Sequence, residues 1–234
     1  MLRKLLILFF ILACLFPLGL ALGYSAGYSL GLTGLLSEGF TLRHWLGLLE
    51  GEFLNAILYS AWIAAASTLI GLSIALALLL MARRLFRNSS LYAALFLPLS
   101  IPPIVLGFII FQLYSPSGVM SRLAYHLGLI GGTQAFPIVV QDSWGLGIII
   151  AHVFLVFPFF LLVLLNVFEH EKLDDLATVA ASVGAGPAKI LLYVQLPVLL
   201  RGIFPILALY FIFFMGAYDI PLLLGGSSPQ MISV

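Results

Sequence analysis

Residues 173–197 read LDDLATVAASVGAGPAKILLYVQLP, the longest polar-rich interval in the second half of a mostly apolar chain. The interval predicts two short helices and a hinge. Leu173, Leu176, Ala177, Ala180 and Val183/Gly184 recur at the i, i+3, i+4, i+7 spacing, so one face of the first helix is apolar and small. Asp174 and Asp175 fall in its first turn, where carboxylates favour the positive helix end. Gly184-Ala185-Gly186 offers a left-handed residue to stop that helix. Pro187 suits the first turn of a second helix, and Leu196-Pro197 closes the unit before the next apolar run. The bland reading of the same residues is an amphipathic linker between two membrane spans.

The rest of the chain explains why a polar interval stands out. Of its 234 residues, 63% are hydrophobic and 8% charged, and mean hydropathy is +1.21. Soluble domains carry about 25% charged residues, so a soluble globule is excluded and a polytopic, all-α membrane protein is expected. A net charge of +1 argues against nucleic acid as a partner. The single cysteine, Cys14, allows neither an intrachain disulfide nor a cysteine metal cluster. A lipoprotein reading of Cys14 is disfavoured by the Leu15-Phe16-Pro17 that follows it. The sequence holds no HExxH, CxxC or GxxxxGK[ST] pattern. No cofactor or catalytic residue is therefore expected, and ATP, if used, is bound by another subunit.

Five spans are expected. A basic start, Met1 to Lys4, precedes an apolar run from Leu5 to about Leu22. A secretory signal shares this pattern, but the length and the spans that follow favour a retained helix. In the loop from Gly23 to Glu52, a short helix over Thr41 to Leu49 would hold Arg43, His44 and Trp45 at the headgroups. The second span, Phe53 to Ala82, carries small residues that let another helix approach: Ala61, Ala64, Ala65, Ser67, Gly71, Ser73 and Ala75. The third, Leu91 to Tyr114, is broken at Pro98-Leu-Ser-Ile-Pro102-Pro103. Prolines remove backbone donors, and such a break is tolerated in a membrane only against protein or a water-filled cavity. A loop over Ser115 to Gly145 with a helix at Val119 to Leu127 leads to the fourth span, Leu146 to Phe168, which contains His152 and Pro158. The fifth runs from Gly202 to about Leu224. The domain organisation that follows is a first helix with its outer loop over 1–52 and a core over 53–234 that contains the polar segment 169–201.

Orientation follows from lysine and arginine. With the N-terminus in the cytoplasm, the inner segments hold Arg3, Lys4, Arg83, Arg84, Arg87, Lys172, Lys189 and Arg201, and the outer ones only Arg43 and Arg122. Eight against two sets the orientation and puts residues 173–197 inside.

That interval resembles the EAA loop of the inner-membrane permease subunits of bacterial ABC importers, the binding-protein-dependent permease superfamily. The loop is written E-A-A, three residues, G, then about a dozen residues to L-P. Gly184-Ala185 and Leu196-Pro197 stand at this separation and Ala180 fits the second alanine, whereas Thr178 and Val179 replace the glutamate and first alanine. The resemblance covers Phe53 to Val234. It implies that Asp175, Thr178, Ala180, Ala181, Gly184, Ala185, Pro187, Leu196 and Pro197 couple the chain to a cytoplasmic ATPase. It also implies a second permease subunit, identical or different, and a periplasmic or lipid-anchored solute-binding protein, in a bacterial inner membrane. The fifth-span ending GAYDIPLLLGGSSPQM looks most like the polyamine, ferric-iron, thiamine and inorganic-anion branch. The proline-rich third span resembles the family's pathway-lining helix, so Pro98, Ser100, Pro102 and Pro103 are pathway candidates. His152, Tyr218 and Asp219 join them, because intramembrane ionisable groups mark functional sites; hydrogen bonding between helices, or a place at the interface, is the plainer role for each.

Two rivals belong to other classes: an intramembrane enzyme acting on lipids through His152 and Asp219, and a non-transporting membrane anchor. The family generally closes with a sixth span, which this sequence lacks. On that ground the chain is expected to continue beyond Val234, leaving Phe211, Phe213 and Phe214 without partners.

Overall fold

Within a bilayer every backbone donor and acceptor must be satisfied inside the chain, and apolar runs of this length do so as helices. The computed structural model describes residues 2–34, 39–48, 51–87 and 89–234, and all its regular structure is helical. The chain divides into two units, Met1–Leu54 and Asn55–Val234.

In the first unit, α1 (Leu2–Ser29) runs for 28 residues, about 42 Å at 1.5 Å per residue. It passes the expected end near Leu22, since Gly23 and Gly27 lower helix propensity without removing a donor, and Ala26 between them favours helix. Gly31, at φ +73°, turns the chain away. The loop closes where the Thr41 amide donates to the Leu30 carbonyl at 2.9 Å. The short α2 (Arg43–Gly47) follows, its Arg43 amide bonded to Thr41 Oγ1 at 3.2 Å. It is shorter than the expected Thr41–Leu49, and Leu49 lies outside the described residues.

The second unit begins within α3 (Gly51–Ala82). It continues through α4 (Ser89–Ala94), α5 (Phe96–Leu99), α6 (Pro103–Tyr114), α7 (Val119–His126) and α8 (Leu146–His170). Then come α9 (Leu173–Ser182), α10 (Pro187–Ile190), a π-helical turn at Leu191–Gln195, α11 (Leu196–Met215) and α12 (Asp219–Leu224). Among the described residues, five helical runs are long and apolar enough to cross a membrane: Arg3–Ser29, Gly51–Ala82, Pro103–His126, Leu146–His170 and Pro187–Met215. The protein is a multi-pass helical membrane protein.

Helix α8 is the hub. Ser60, Ala64, Ser67, Thr68, Gly71 and Ala75 form a buried stripe on α3, and the absence of side-chain bulk there lets the two helices close up. A Cβ on Gly71 would stand 2.7 Å from Val156 Cγ1 of α8. Of the small residues expected at this contact, Ser73 points outward and bonds the Leu69 carbonyl instead. One apolar cluster gathers Leu72, Leu79, Phe160, Leu164, Leu173, Leu199 and Ile203. The other gathers Tyr59, Ile63, Leu106, Ile110, Ile148, Ile220 and Leu224.

The expected third span consists of α4, α5 and α6 in series, interrupted at Leu95 and again over residues 100–102. Two expectations need correction. Leu196-Pro197 does not close the polar unit: winding continues from Pro187 to Met215, and Pro197 sits in the first turn of α11. The π turn just before it opens the winding where the proline ring would meet the carbonyl four residues back. The fifth span ends at Met215, not near Leu224, because Pro221 tolerates only a first-turn place and so restarts the helix as α12. Of the three phenylalanines expected to lack partners, Phe213 is exposed, but Phe214 is buried and stacked on His152.

Candidate coupling site and pathway residues

After α8 the chain reverses at Lys172, which takes φ +48°. Leu173, fully buried, pins the start of α9 into the core. The helix ends at Gly184, whose φ of +88° is the left-handed conformation that glycine adopts without a Cβ penalty. The Gly184 amide donates to the Ala181 carbonyl at 3.0 Å and the Ala185 amide to the Ala180 carbonyl at 3.1 Å. This bond pair is the Schellman stop, which satisfies carbonyls that the helix end would orphan. Gly186 is extended, and Pro187 opens α10.

The apolar stripe of α9 divides in two. Leu173, Ala177 and Ala180 turn toward the protein. Leu176, Val179 and Val183, one step further round, are 43%, 64% and 81% exposed. A third face carries Asp174, Thr178 and Ala181, which line a cavity of about 610 Å³ with Arg83, Arg84, Asn166 and Glu169. Thr178 does not reach a partner across this space; its Oγ1 donates to the Asp174 carbonyl at 2.9 Å. The ion pair lies one turn earlier, with Arg83 Nη2 2.7 Å from Asp174 Oδ1. The Arg83 guanidinium also sits 4.4 Å over the Phe168 ring. On sequence grounds Arg83 is an orienting charge only, because no spacing rule links positions 83 and 174.

Asp175 is exposed, and Gly184, Ala185 and Pro187 share the turn. Leu196 and Pro197 are not brought to it: ten residues of winding carry Pro197 roughly 15 Å along the helix from Pro187.

The pathway candidates separate likewise. Pro98 lies in α5; Ser100 caps that helix, exposed, with Oγ donating to the Leu97 carbonyl at 2.8 Å. Ile101 is half-buried against the second cluster. Pro102, at ψ 138°, is extended, and Pro103 starts α6. Helix α6 packs on α12, where a Cβ on Gly107 would meet Leu223 at 3.3 Å. Tyr218 and Asp219 stand exposed at the start of α12. His152 does not join them. It is enclosed within the bundle, 1% exposed, its ring 4.3 Å from that of Phe214 and its Nδ1 3.5 Å from Ser67 Oγ.

Comparison with known proteins gives this geometry a setting. Residues 67–233 match the family described as "Binding-protein-dependent transport system inner membrane component". The molybdenum transport system permease protein ModB of Azotobacter vinelandii is 33% identical over 138 residues, 59% of this chain and 57% of that protein. ModB of Mycobacterium tuberculosis is 30% identical over 189 residues, 79% of this chain and 67% of that protein. The thiamine transport system permease protein ThiP of Brucella abortus is 29% identical over 172 residues, 72% of this chain and 30% of that protein.

Proposed function

Because the chain belongs to the binding-protein-dependent transport system inner membrane component family, we propose that it is the permease subunit of an ATP-driven importer. The observation that carries the reading is the stripe of Leu176, Val179 and Val183, an exposed apolar face on a helix stopped by left-handed Gly184. A face of this kind on a loop among basic span ends suits docking to an ATPase in the cytoplasm, with the N-terminus on the same side. Gly184, Ala185 and Pro187 fix the docking turn, Asp175 marks the exposed start of its helix, and Thr178, Ala180 and Ala181 set the inner faces of that helix. Leu196 and Pro197 act further up, in the winding that joins the loop to α11.

The pathway runs beside the Ser100–Pro103 break and Tyr218–Asp219, against a second permease subunit that completes it. A carboxylate is costly against lipid and suits a wet, protein-lined space, a setting that fits the exposed Asp219. His152 supports the wall from behind, within the bundle. A solute-binding protein delivers cargo from outside.

Molybdate is the first cargo to test, since two of the relatives above are named for molybdenum; thiamine is the second, on the weaker likeness to ThiP. The test is copurification of the chain with the ATPase from its own gene neighbourhood, then reconstitution with the neighbouring binding protein. Molybdate-stimulated ATP hydrolysis and vesicle uptake are expected. A complex that forms but answers only thiamine would move the cargo assignment. Failure to retain any ATPase would overturn the coupling role, and ATPase retention without cargo-driven turnover would leave a membrane anchor.

A further inference from the structure

A coupling helix moves the spans to which it is attached. The chain attaches α9 to α8 through Glu171 and Lys172, and to α11 through Gly184–Gly186 and the continuous winding beyond. It supplies no covalent link to α3, although α3 lies against α8 along the Gly71–Val156 contact. Among the described residues, the polar contact that joins α9 to the end of that span is the 2.7 Å pair between Asp174 Oδ1 and Arg83 Nη2. One further contact fixes it: the Arg83 guanidinium is held over the Phe168 ring of α8. The side chains are 32% and 57% exposed, and exposed pairs add little to stability. A planar guanidinium held by an aromatic face and a carboxylate adds direction instead.

We infer that Arg83 and Asp174 are a positioning pair that ties the end of the second span to α9, so that α3 follows the coupling helix when that helix is displaced. The geometric part stands on this chain alone; the ATPase part rests on the proposed function.

The experiment reads both parts. Spin labels go on Met81→Cys and Ser182→Cys in a Cys14→Ser background, with the full chain in lipid nanodiscs, and the distance distribution is recorded. A narrow distribution is expected for the parent, an intermediate one for Arg83→Lys, which keeps the charge but loses the planar fork, and a broad one for Arg83→Ala and Asp174→Ala. The charge swap Arg83→Asp/Asp174→Arg is expected to narrow it again. Should the alanine variants not reach the membrane, the isosteric Asp174→Asn carries the test. An unchanged distribution in the single variants, or a swap no narrower than they are, overturns the pair. In the complex with its ATPase, the ratio of binding-protein-stimulated to basal hydrolysis is expected to fall in the single variants by up to about fivefold, the ceiling for an exposed pair, and to recover in the swap. A distance effect with an unmoved ratio overturns the coupling part while leaving the geometric pair. A distance effect in a chain that retains no ATPase supports the pair and sinks the transport reading.

Discussion

Helical winding stops twice in similar style and different chemistry. At Ser100–Pro103 and again at Gly184–Pro187, an extended residue precedes a proline that opens the next helix: Pro102 at ψ 138° before Pro103, Gly186 at ψ 163° before Pro187. The first stop is built from prolines. Pro102 and Pro103 bring no amide N–H, so the break leaves fewer donors that need water. The second is built from glycine and uses backbone bonds of a left-handed turn, with nothing within 4 Å of a Cβ on Gly184. A break inside a membrane-spanning run gains from deleting donors; one in a loop is free to leave them to solvent and spend its residues on conformation.

The largest effect is expected at the glycine stop. Forcing a β-branched residue to φ +88° costs about 1–2 kcal/mol, and open space around Gly184 makes the cost purely conformational. Gly184→Val should insert normally yet lose most cargo-stimulated hydrolysis, Gly184→Ala should lose less, and Gly184→Asn least, because asparagine tolerates the left-handed region. Equal activity in all three would show that the turn's conformation does not matter to coupling. At the proline stop, Pro102→Ala/Pro103→Ala restores two donors and removes the bar to helix at residue 101. Uptake should fall on the order of tenfold, about 1.4 kcal/mol, with expression unchanged; wild-type uptake would remove the break from the mechanism. The smallest effect distinguishes neighbours within that break. In a Cys14-free chain, Ser100→Cys should react with a small aqueous thiol reagent a few-fold faster than the half-buried Ile101→Cys. Equal rates, or rates no higher than a cysteine at exposed Leu12 of α1, would put the break against lipid.

Much of this was legible because its causes are local. Gly184, Pro187, Pro103 and the α7 amphipathic helix follow from residue type and spacing, and apolar run length gave the five spans. What escaped has non-local causes. The face of α9 divides because Leu173 anchors it at one angle, which leaves Leu176 and Val183 exposed with Val179. His152 reads as a lone intramembrane ionisable group until Phe214 is seen against its ring, and Arg83 reads as a topological charge until Asp174 is seen beside it. The fifth span departs from its sequence-based bounds at both ends for one reason: proline tolerance depends on the winding just before it, which composition does not report.

That winding has a consequence for length. A π-helical turn contains one residue more than the α-helix it interrupts needs, so Leu191–Gln195 stores a surplus residue ahead of Pro197. Removing Tyr193, which is 77% exposed, would rewind the turn as α-helix without rotating α11 relative to α10. The ring of Pro197 would then press on a carbonyl it now avoids. The deletion should therefore disable the native chain and be silent in a chain that already carries Pro197→Ala, so that a gap and a substitution far milder alone become acceptable only in one order.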